Sequence, residues 1–260
     1  MKPDPEADQI ALKEERHQHI LELLGSEGRV LAADLSGRYS VSEDTIRRDL
    51  RELARSGKIR RVHGGALPRR VEPVPFVSRQ QIDIESKTGI ARAAADMIRD
   101  GQVGLIDGGT TNLRSASYRS RELSATIVTN SPPLALALAD HPKVSVLMLG
   151  GNLHKEARVT TGIETIRAIE SIRADLCFLG MCSLHPEVGI TVGDREEAYV
   201  KKAMIGASTE VVGLISHGKM GTSLPYLVGA ASRLKRLITD ASDEDVLHPY
   251  RSQGIEVTST

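Results

Sequence analysis

Among the 260 residues, the run LIDGGTTN at 105–112 carries the clearest chemical signal. An apolar stretch leads into Asp107, Gly108, Gly109, Thr110 and Thr111, so an acid, two glycines and two hydroxyls fall where a strand would turn into a helix. Glycines let backbone N–H groups close on an anion, a helix terminus adds donors, and threonine hydroxyls complete a phosphate cradle. A plain strand-to-helix turn would use the same residues. Three further loops fall at the carboxyl ends of expected strands, where an open α/β sheet places its ligand. They are VTNS at 128–131, LGGN at 149–152 and SHGKMG at 216–221. Together they bring Thr129, Asn130, Gly150, Gly151 and Lys219 to one expected pocket.

Other patterns lead nowhere. GLISHGKM at 213–220 imitates a nucleotide-binding Walker loop until Met220, where a magnesium-holding Ser or Thr is required, and its first glycine falls inside an expected strand. DGGTTN lacks the glycine spacing of a dinucleotide fingerprint. The eight histidines show no helical metal-binding spacing, and Cys177 and Cys182 read as small core residues rather than ligands or disulfide partners. No metal and no cofactor are expected.

A second chemistry belongs to arginine. SEDTIRRDL, residues 42–50, opens a helix in which Glu43 and Arg47, and Asp44 and Arg48, stand four apart. Such pairs support an exposed helix by a few tenths of about a kcal/mol. Context favours another partner. The helix follows a shorter one through a tight turn, and Arg47, Arg51 and Arg55 form a stripe beside the apolar one. From Leu53 to Arg70 there are six basic residues and no acid, an excess that phosphates would balance and salt bridges would not. Arg47, Arg48 and Arg51 are therefore candidates for guanine or phosphate contact, with Ser42 and Thr45 near a base edge. Arg60, Arg61 and His63, around Gly64 and Gly65, would form a basic wing. Asp49 and Glu52 would repel DNA and are expected to orient arginines or face protein.

The elements that must position these groups follow from periodicity. Residues 1–13 read as a disordered tail. Helices are expected from Glu14 to a Gly25–Gly28 end, from Leu31 to Tyr39 with Leu31, Ala32 and Leu35 inward, and from Ser42, as N-cap, to Gly57. KIRRVHGGAL is a strand, a turn and a return, closing a domain at 14–67. Three prolines in PRRVEPVPF make 68–80 a linker. Beyond it, in 81–260, six apolar runs alternate with helical patterns such as 87–99 and 194–208, which implies a mostly parallel sheet covered on both faces. The chain is thus of α/β class, with a small helix-turn-helix domain ahead of a larger one.

Composition narrows the classes. Basic and acidic residues balance at 34 each, so nothing global advertises nucleic acid or membrane, yet Arg38–Arg70 holds ten Lys or Arg against four Asp or Glu. Trp is absent and Phe plus Tyr number seven, too few for stacking platforms on single strands. Two cysteines, no apolar leader and no long apolar span indicate a soluble cytoplasmic protein without membrane contact.

Residues 30–67, VLAADLSGRYSVSEDTIRRDLRELARSGKIRRVHGGAL, closely resemble the amino-terminal signature of DeoR-type bacterial transcriptional regulators, of which the glycerol-3-phosphate repressor is representative. The resemblance continues in family order through SRQQIDIESKTGIARAAADMI, DGGTTN, IVTNS, LGGN, VGIT, EEAYVKKAMI and GKMG. It implies a winged helix on double-stranded operator DNA and usually repression of carbohydrate catabolism genes. It also implies a second domain similar to ribose-5-phosphate isomerase that senses a phosphorylated sugar, with Asp107 to Thr111 near phosphate and Lys219 as a cationic contact. A homo-oligomer on a repeated or palindromic operator is expected.

Two departures stand out. GMCSLHPE leaves Glu187 as the only carboxylate where the isomerases carry acids, which argues for a receptor without turnover. Ser216 stands where the regulators usually carry Asp. The rival readings are a sugar-phosphate isomerase fused to a DNA-binding module, and a constitutive regulator whose second domain is blind to ligand.

Overall fold

The computed structural model describes residues 13–27, 29–56, 58–62, 64–68 and 74–260. The chain divides into two compact units, residues 1–72 and 73–260. Of the expected tail, residues 1–12 lie outside the described residues, and Lys13 opens the first helix rather than ending a disordered stretch.

The first unit comprises α1 (Lys13–Glu27), β1 (Val30–Leu31), α2 (Ala32–Tyr39), α3 (Glu43–Arg55), β2 (Ile59–Val62) and β3 (Gly65–Pro68). Ile20 and Leu24 of α1, Leu35 of α2, and Ile46, Leu50 and Leu53 of α3 bury their side chains in one cluster with Val30, Ile59 and Ala66. Ser40 takes the left-handed conformation at the end of α2, and Ser36 Oγ donates to Val41 O at 2.7 Å, closing the tight turn. Ser42 caps α3, its Oγ accepting from Thr45 N at 3.2 Å. Leu31, expected inward on a helix, is instead 43% exposed. It lies on β1, a strand that the sequence did not announce, and β1 pairs with β3 to complete a β1-β3-β2 wing. That pairing explains the second wing glycine: a Cβ on Gly65 would stand 2.0 Å from Val30 O.

Asp49 is the electrostatic pin of this unit. Only 2% exposed, its carboxylate accepts from Arg16 Nε at 2.6 Å and lies 3.2 Å from His17 Nε2. Glu52 reaches Lys13 at 2.5 Å on the surface. Both acids therefore face α1 and draw it onto α3, leaving Arg47, Arg48 and Arg51 exposed with Glu43 and Asp44 of the first turn.

The second unit comprises α4 (Phe76–Arg79), α5 (Ile84–Ala95), β4 (Val103–Ile106), α6 (Thr110–Ala116), β5 (Thr126–Thr129), α7 (Pro132–Leu138) and β6 (Ser145–Met148). There follow β7 (Asn152–His154), β8 (Val159–Thr161), α8 (Ile163–Glu170), β9 (Ala174–Gly180), β10 (Ser183–His185), β11 (Gly189–Val192) and α9 (Arg195–Gly206). The chain continues through β12 (Ser208–Ile215), β13 (Tyr226–Gly229), β14 (Arg236–Thr239), α10 (Glu244–Arg251) and β15 (Glu256–Ser259). All six expected strands join one parallel sheet, and β15 adds a seventh, in the order β15-β14-β12-β9-β4-β5-β6. Alternate residues of each strand enter different cores, Leu105, Cys177, Leu179 and Val211 in one, Ile106, Leu176, Phe178 and Val212 in the other. Period-two burial on both faces makes the sheet the middle layer of three.

Two expectations fail here. The linker reading of 68–80 does not hold at its far end: Phe76 to Arg79 are helical and Phe76 is 2% exposed. Pro75 sits just ahead of the first turn, where a missing N–H costs nothing. Residues 69–73 lie outside the described residues. The run at 144–149 is a strand but not a buried one, because β6 is a sheet edge with Leu147 and Met148 49% and 45% exposed.

Removing Asp49 leaves the Arg16 guanidinium buried without a counter-charge, so Asp49→Ala should cost about 3–5 kcal/mol of local stability. Native-state hydrogen exchange at α3 amides reads this, and Glu52→Ala, which breaks a surface pair, should leave the same amides nearly unchanged.

Candidate functional site

The sheet order changes direction at β4, which has β9 on one side and β5 on the other. Ligands of open α/β sheets bind at such a switch point, outside the carboxyl ends of the strands. A cleft lies there, lined by Asp107, Gly108, Gly109, Thr110, Thr111 and Asn112 after β4, Asn130 after β5, Met181 and Cys182 after β9, Glu197 and Lys201 of α9, Lys219 after β12, and Arg79 of α4.

Its floor is an ion pair. The Lys201 ammonium donates to Asp107 Oδ2 and, at 2.8 Å, to Gly180 O; Gly180 N donates back to Asp107 Oδ2 at 3.0 Å. Both side chains are buried. Burial works against the Lys201 charge, but the Asp107 carboxylate outweighs it and holds the ammonium protonated above the ordinary lysine range. Asn112 completes the floor, its Nδ2 donating to Asp107 O at 2.8 Å and Phe178 O at 3.2 Å, which locks the β4 and β9 ends together.

Glu197 stands one helical turn before Lys201. Burial opposes its charge, but His154, 3.5 Å away, with Lys201 and Arg79, brings its carboxyl below the ordinary range. The contact with Glu197 raises His154 in turn against burial. Asp194 sets the helix start, accepting from Glu197 N at 2.9 Å.

Lys219 enters on a short 3-10 turn, His217–Lys219, pinned at both ends. Asp240 Oδ1 accepts from His217 N at 2.6 Å, and Tyr250 Oη accepts from Gly221 N at 3.3 Å. Among the described residues no carboxylate pairs with the Lys219 ammonium, whose one hydrogen bond is a long 3.4 Å contact to Met181 O. Burial, with Arg79 and Lys201 nearby, lowers its pKa below the ordinary lysine range. Among the described residues no three His, Cys, Asp or Glu side chains gather as a metal would need.

Of the residues expected around a ligand, Asp107, Gly108, Gly109, Thr110, Thr111, Asn130 and Lys219 line this cleft. Thr129 and Gly151 do not. Thr129 is fully buried and its hydroxyl accepts from Ser131 N at 3.1 Å. Gly151 serves packing: a Cβ there would stand 2.1 Å from Thr165 Oγ1. Gly150 likewise turns its carbonyl to Thr165 Oγ1 at 2.5 Å. Sequence reading missed Lys201, Glu197 and Arg79. The first two stand four apart in EEAYVKKAMI, a spacing that puts both on one helix face, but the helix gave no sign of which face meets the cleft. Cys182, read as core, lines the cleft wall, whereas Cys177 is core and burial pushes its thiol up to about 12. Glu187 is exposed and absent from the cleft lining, and Ser216 is buried and likewise absent from it.

On the first unit, Arg47, Arg48 and Arg51 are exposed on α3, and Arg60 and Arg61 on β2. Arg47 is held by Glu43 at 2.6 Å and Arg51 Nε donates to Arg47 O at 3.1 Å. The expected Asp44–Arg48 pair does not form, and among the described residues Arg48, Arg60 and Arg61 enter no ion pair. Ser42 and Thr45 hydroxyls meet at 2.9 Å at the helix start. His63 lies outside the described residues.

A winged helix bearing unpaired arginines, followed by an α/β unit with a charged cleft at its switch point, defines a DNA-binding regulator with a sensor domain. Residues 16–69 match the DeoR-like helix-turn-helix domain and 82–241 the DeoR C terminal sensor domain. The chain belongs to the DeoR family of transcriptional regulators. It is 33% identical to the HTH-type transcriptional repressor GlcR of Bacillus subtilis, over 88% of both chains. It is also 33% identical to the glycerol-3-phosphate regulon repressor of Escherichia coli, over 87% of this chain and 90% of that one. A ribose 5-phosphate isomerase from Methanocaldococcus jannaschii overlays 55% of each chain at 15% identity and a TM-score of 0.39, too loose a match to carry chemistry across.

Lys201→Met should strand a buried carboxylate and cost about 3–5 kcal/mol in denaturant unfolding. Adding Asp107→Asn should recover part of that loss, because the double change removes both charges together.

Proposed function

We propose that the chain is a transcriptional repressor of carbohydrate catabolism genes, controlled by a phosphorylated sugar in the cleft at the β4 switch point. The observation that carries this reading is Lys219, an ammonium inside the cleft without a carboxylate partner among the described residues. Arg79, Lys201 and Lys219 bring three cations to the cleft against the carboxylates of Asp107 and Glu197. A phosphate group would supply the missing negative charge, accepting from Lys219, from the free amides that open α6 and from the Thr110 and Thr111 hydroxyls. Asn130 and Glu197 would face the sugar hydroxyls. Ser216 lies outside the cleft lining, so its departure from the usual Asp leaves this donor set whole.

On the DNA side, α3 is the recognition helix and β2 to β3 the wing. Arg48, which enters no ion pair among the described residues, is the leading base or phosphate contact. Arg47 would exchange Glu43 for DNA, Arg51 would follow the backbone, and Arg60 and Arg61 would lie against the flanking groove. Ser42 and Thr45 keep the helix start in shape and present their hydroxyls there. A homo-oligomer would place two such helices on a repeated operator.

Glu197 is the carboxylate that the isomerase reading would need, since Glu187 lies outside the cleft. Held by His154 and its cationic neighbours, it has the environment of a fixed anion rather than of a proton carrier poised near neutrality. The receptor reading expects no aldose-to-ketose turnover above background.

Three measurements test this. A sugar phosphate at about 100 times its dissociation constant should add about 2.7 kcal/mol of stability, the unphosphorylated parent none, and Lys219→Ala should abolish the shift while leaving DNA affinity intact. Because the Lys219 proton is held less tightly than in free lysine, phosphate affinity should begin to fall at lower pH than the ordinary lysine range; in Lys219→Arg that fall should vanish. Arg48→Ala should lose about 1–3 kcal/mol on DNA enriched from random sequence by the wild-type chain, or, if its partner is a phosphate, reduce the salt slope by about one. Unchanged binding by every measure would remove Arg48 from the interface.

A further inference from the structure

One wall of the cleft, besides that from the β7–β8 hairpin, comes neither from the end of a strand of the seven-stranded sheet nor from a helix against it. That wall is α4, four residues long and the first helix after residues 69–73, which follow the wing in sequence. A helix so short has no stability of its own, and its position is set by what holds it. Phe76 N donates to Glu156 O at 3.0 Å, and the buried Phe76 ring has the guanidinium of Arg79 at 5.8 Å and that of Arg158 at 5.4 Å from its centroid. Lys87 of α5, 3% exposed, spends its ammonium on the carbonyls that end the segment, donating to Arg79 O at 2.6 Å and to Ile82 O. Burial pulls the Lys87 pKa down to about 8, with Lys219 adding to the shift. Burying an ammonium to fasten one turn is costly and fixes the place from which Arg79 enters the cleft.

Arg79 itself is unfinished. Its Nε is buried without a hydrogen-bond partner, and among the described residues no carboxylate pairs with its guanidinium. It shares the cleft with Lys219, and its positive charge adds to the burial that lowers the lysine. Two cations in one cleft repel; an anion between them turns the repulsion into two charge-assisted contacts.

We propose that Arg79 is an anion contact of the effector site, so that a phosphate bridging Arg79 and Lys219 fastens α4, the segment that leads back in sequence to the DNA-binding unit. The proposal rests on the reading of the cleft as a site for a phosphorylated ligand, and it assigns the coupling of that site to one named segment. A ligand shifts an equilibrium only through contacts that differ between two states, and an Arg79 contact is such a difference, because it exists only when α4 is seated.

The test uses the full chain, with inorganic phosphate and glucose 6-phosphate as probes, in the wild type and in Arg79→Ala, Arg79→Lys, Arg158→Ala and Lys219→Ala. Affinity is read by titration, and the segment by hydrogen exchange at residues 74–82. Arg79→Ala should weaken the bound probe about tenfold or more, with Arg79→Lys recovering part. Arg158→Ala, which loses contact with the same ring outside the cleft, should stay within about twofold of wild type. Probe binding should protect residues 74–82 in the wild type and not in Arg79→Ala. Wild-type affinity in Arg79→Ala, or protection confined to residues 107–111 and 219, overturns the proposal. If Lys219→Ala loses the probe and Arg79→Ala does not, the phosphate reading stands and this assignment falls. If the wild type binds neither probe, both fall. Should Arg79→Ala not fold, Arg79→Lys and the wild-type exchange pattern decide.

Discussion

The sensor unit is organised around a carboxylate that has to be buried. Asp107 follows β4 directly, at the place where the strand order reverses, and the groups that satisfy it come from other elements. Gly180 N comes from the end of β9 and the Lys201 ammonium from α9. A buried carboxylate without these partners would be expensive enough to drive rearrangement, so the pair fixes how α9 sits against the sheet. From that follow the position of Glu197, one turn away, and the wall on which Cys182 and Met181 lie. The pair is therefore scaffolding for the cleft more than a recognition device. Asp107 and Lys201 neutralise one another, and among the described residues Arg79 and Lys219 have no such carboxylate partner.

The DNA-binding unit repeats this logic on a smaller scale. Asp49 lies within a helix whose outer face is basic, yet it points inward to Arg16 and His17. Two of its four acids thus leave the surface that Arg48 and Arg51 occupy: α3 turns Asp49 and Glu52 to α1, while Glu43 and Asp44 stay exposed at its first turn. A helix of balanced charge gains a cationic stretch beyond that turn through geometry alone. This is why net charge over the chain, which is zero, says little about its partner, and local placement says much.

The sequence made legible those features whose signal is local. The period-two and helical patterns located six parallel strands and three amino-terminal helices, and Ser42 announced its cap. Asp107 through Thr111 and Lys219 stood out because several glycine-containing loops fall together at the carboxyl ends of apolar runs, although a plain strand-to-helix turn would use the same residue types. What was hidden depended on distant neighbours. Thr129 and Gly151 have the right residue types but turn into packing, which only Ser131 and Thr165 reveal. Leu31 looked helical until β3 arrived beside it. Arg79 sat in a proline-rich stretch that reads as a spacer, and nothing near it in sequence signals that Phe76 is buried and Lys87 clamps the turn. Lys201 was one basic residue among several on a helix, and its partner lies 94 positions earlier.

That separation has a consequence for the order in which the molecule comes into being. An all-parallel sheet pairs strands that are remote in the chain, and such contacts form slowly because long loops must close first. The three-helix core with its wing is made of residues close in sequence, and domains fold as units while the chain is being synthesised. A nascent chain therefore has its operator-reading surface complete while Asp107 still waits for a lysine that has not yet been added. Until α9 and β12 are in place the cleft does not exist, and in that interval the new winged helix stands without a finished sensor unit behind it.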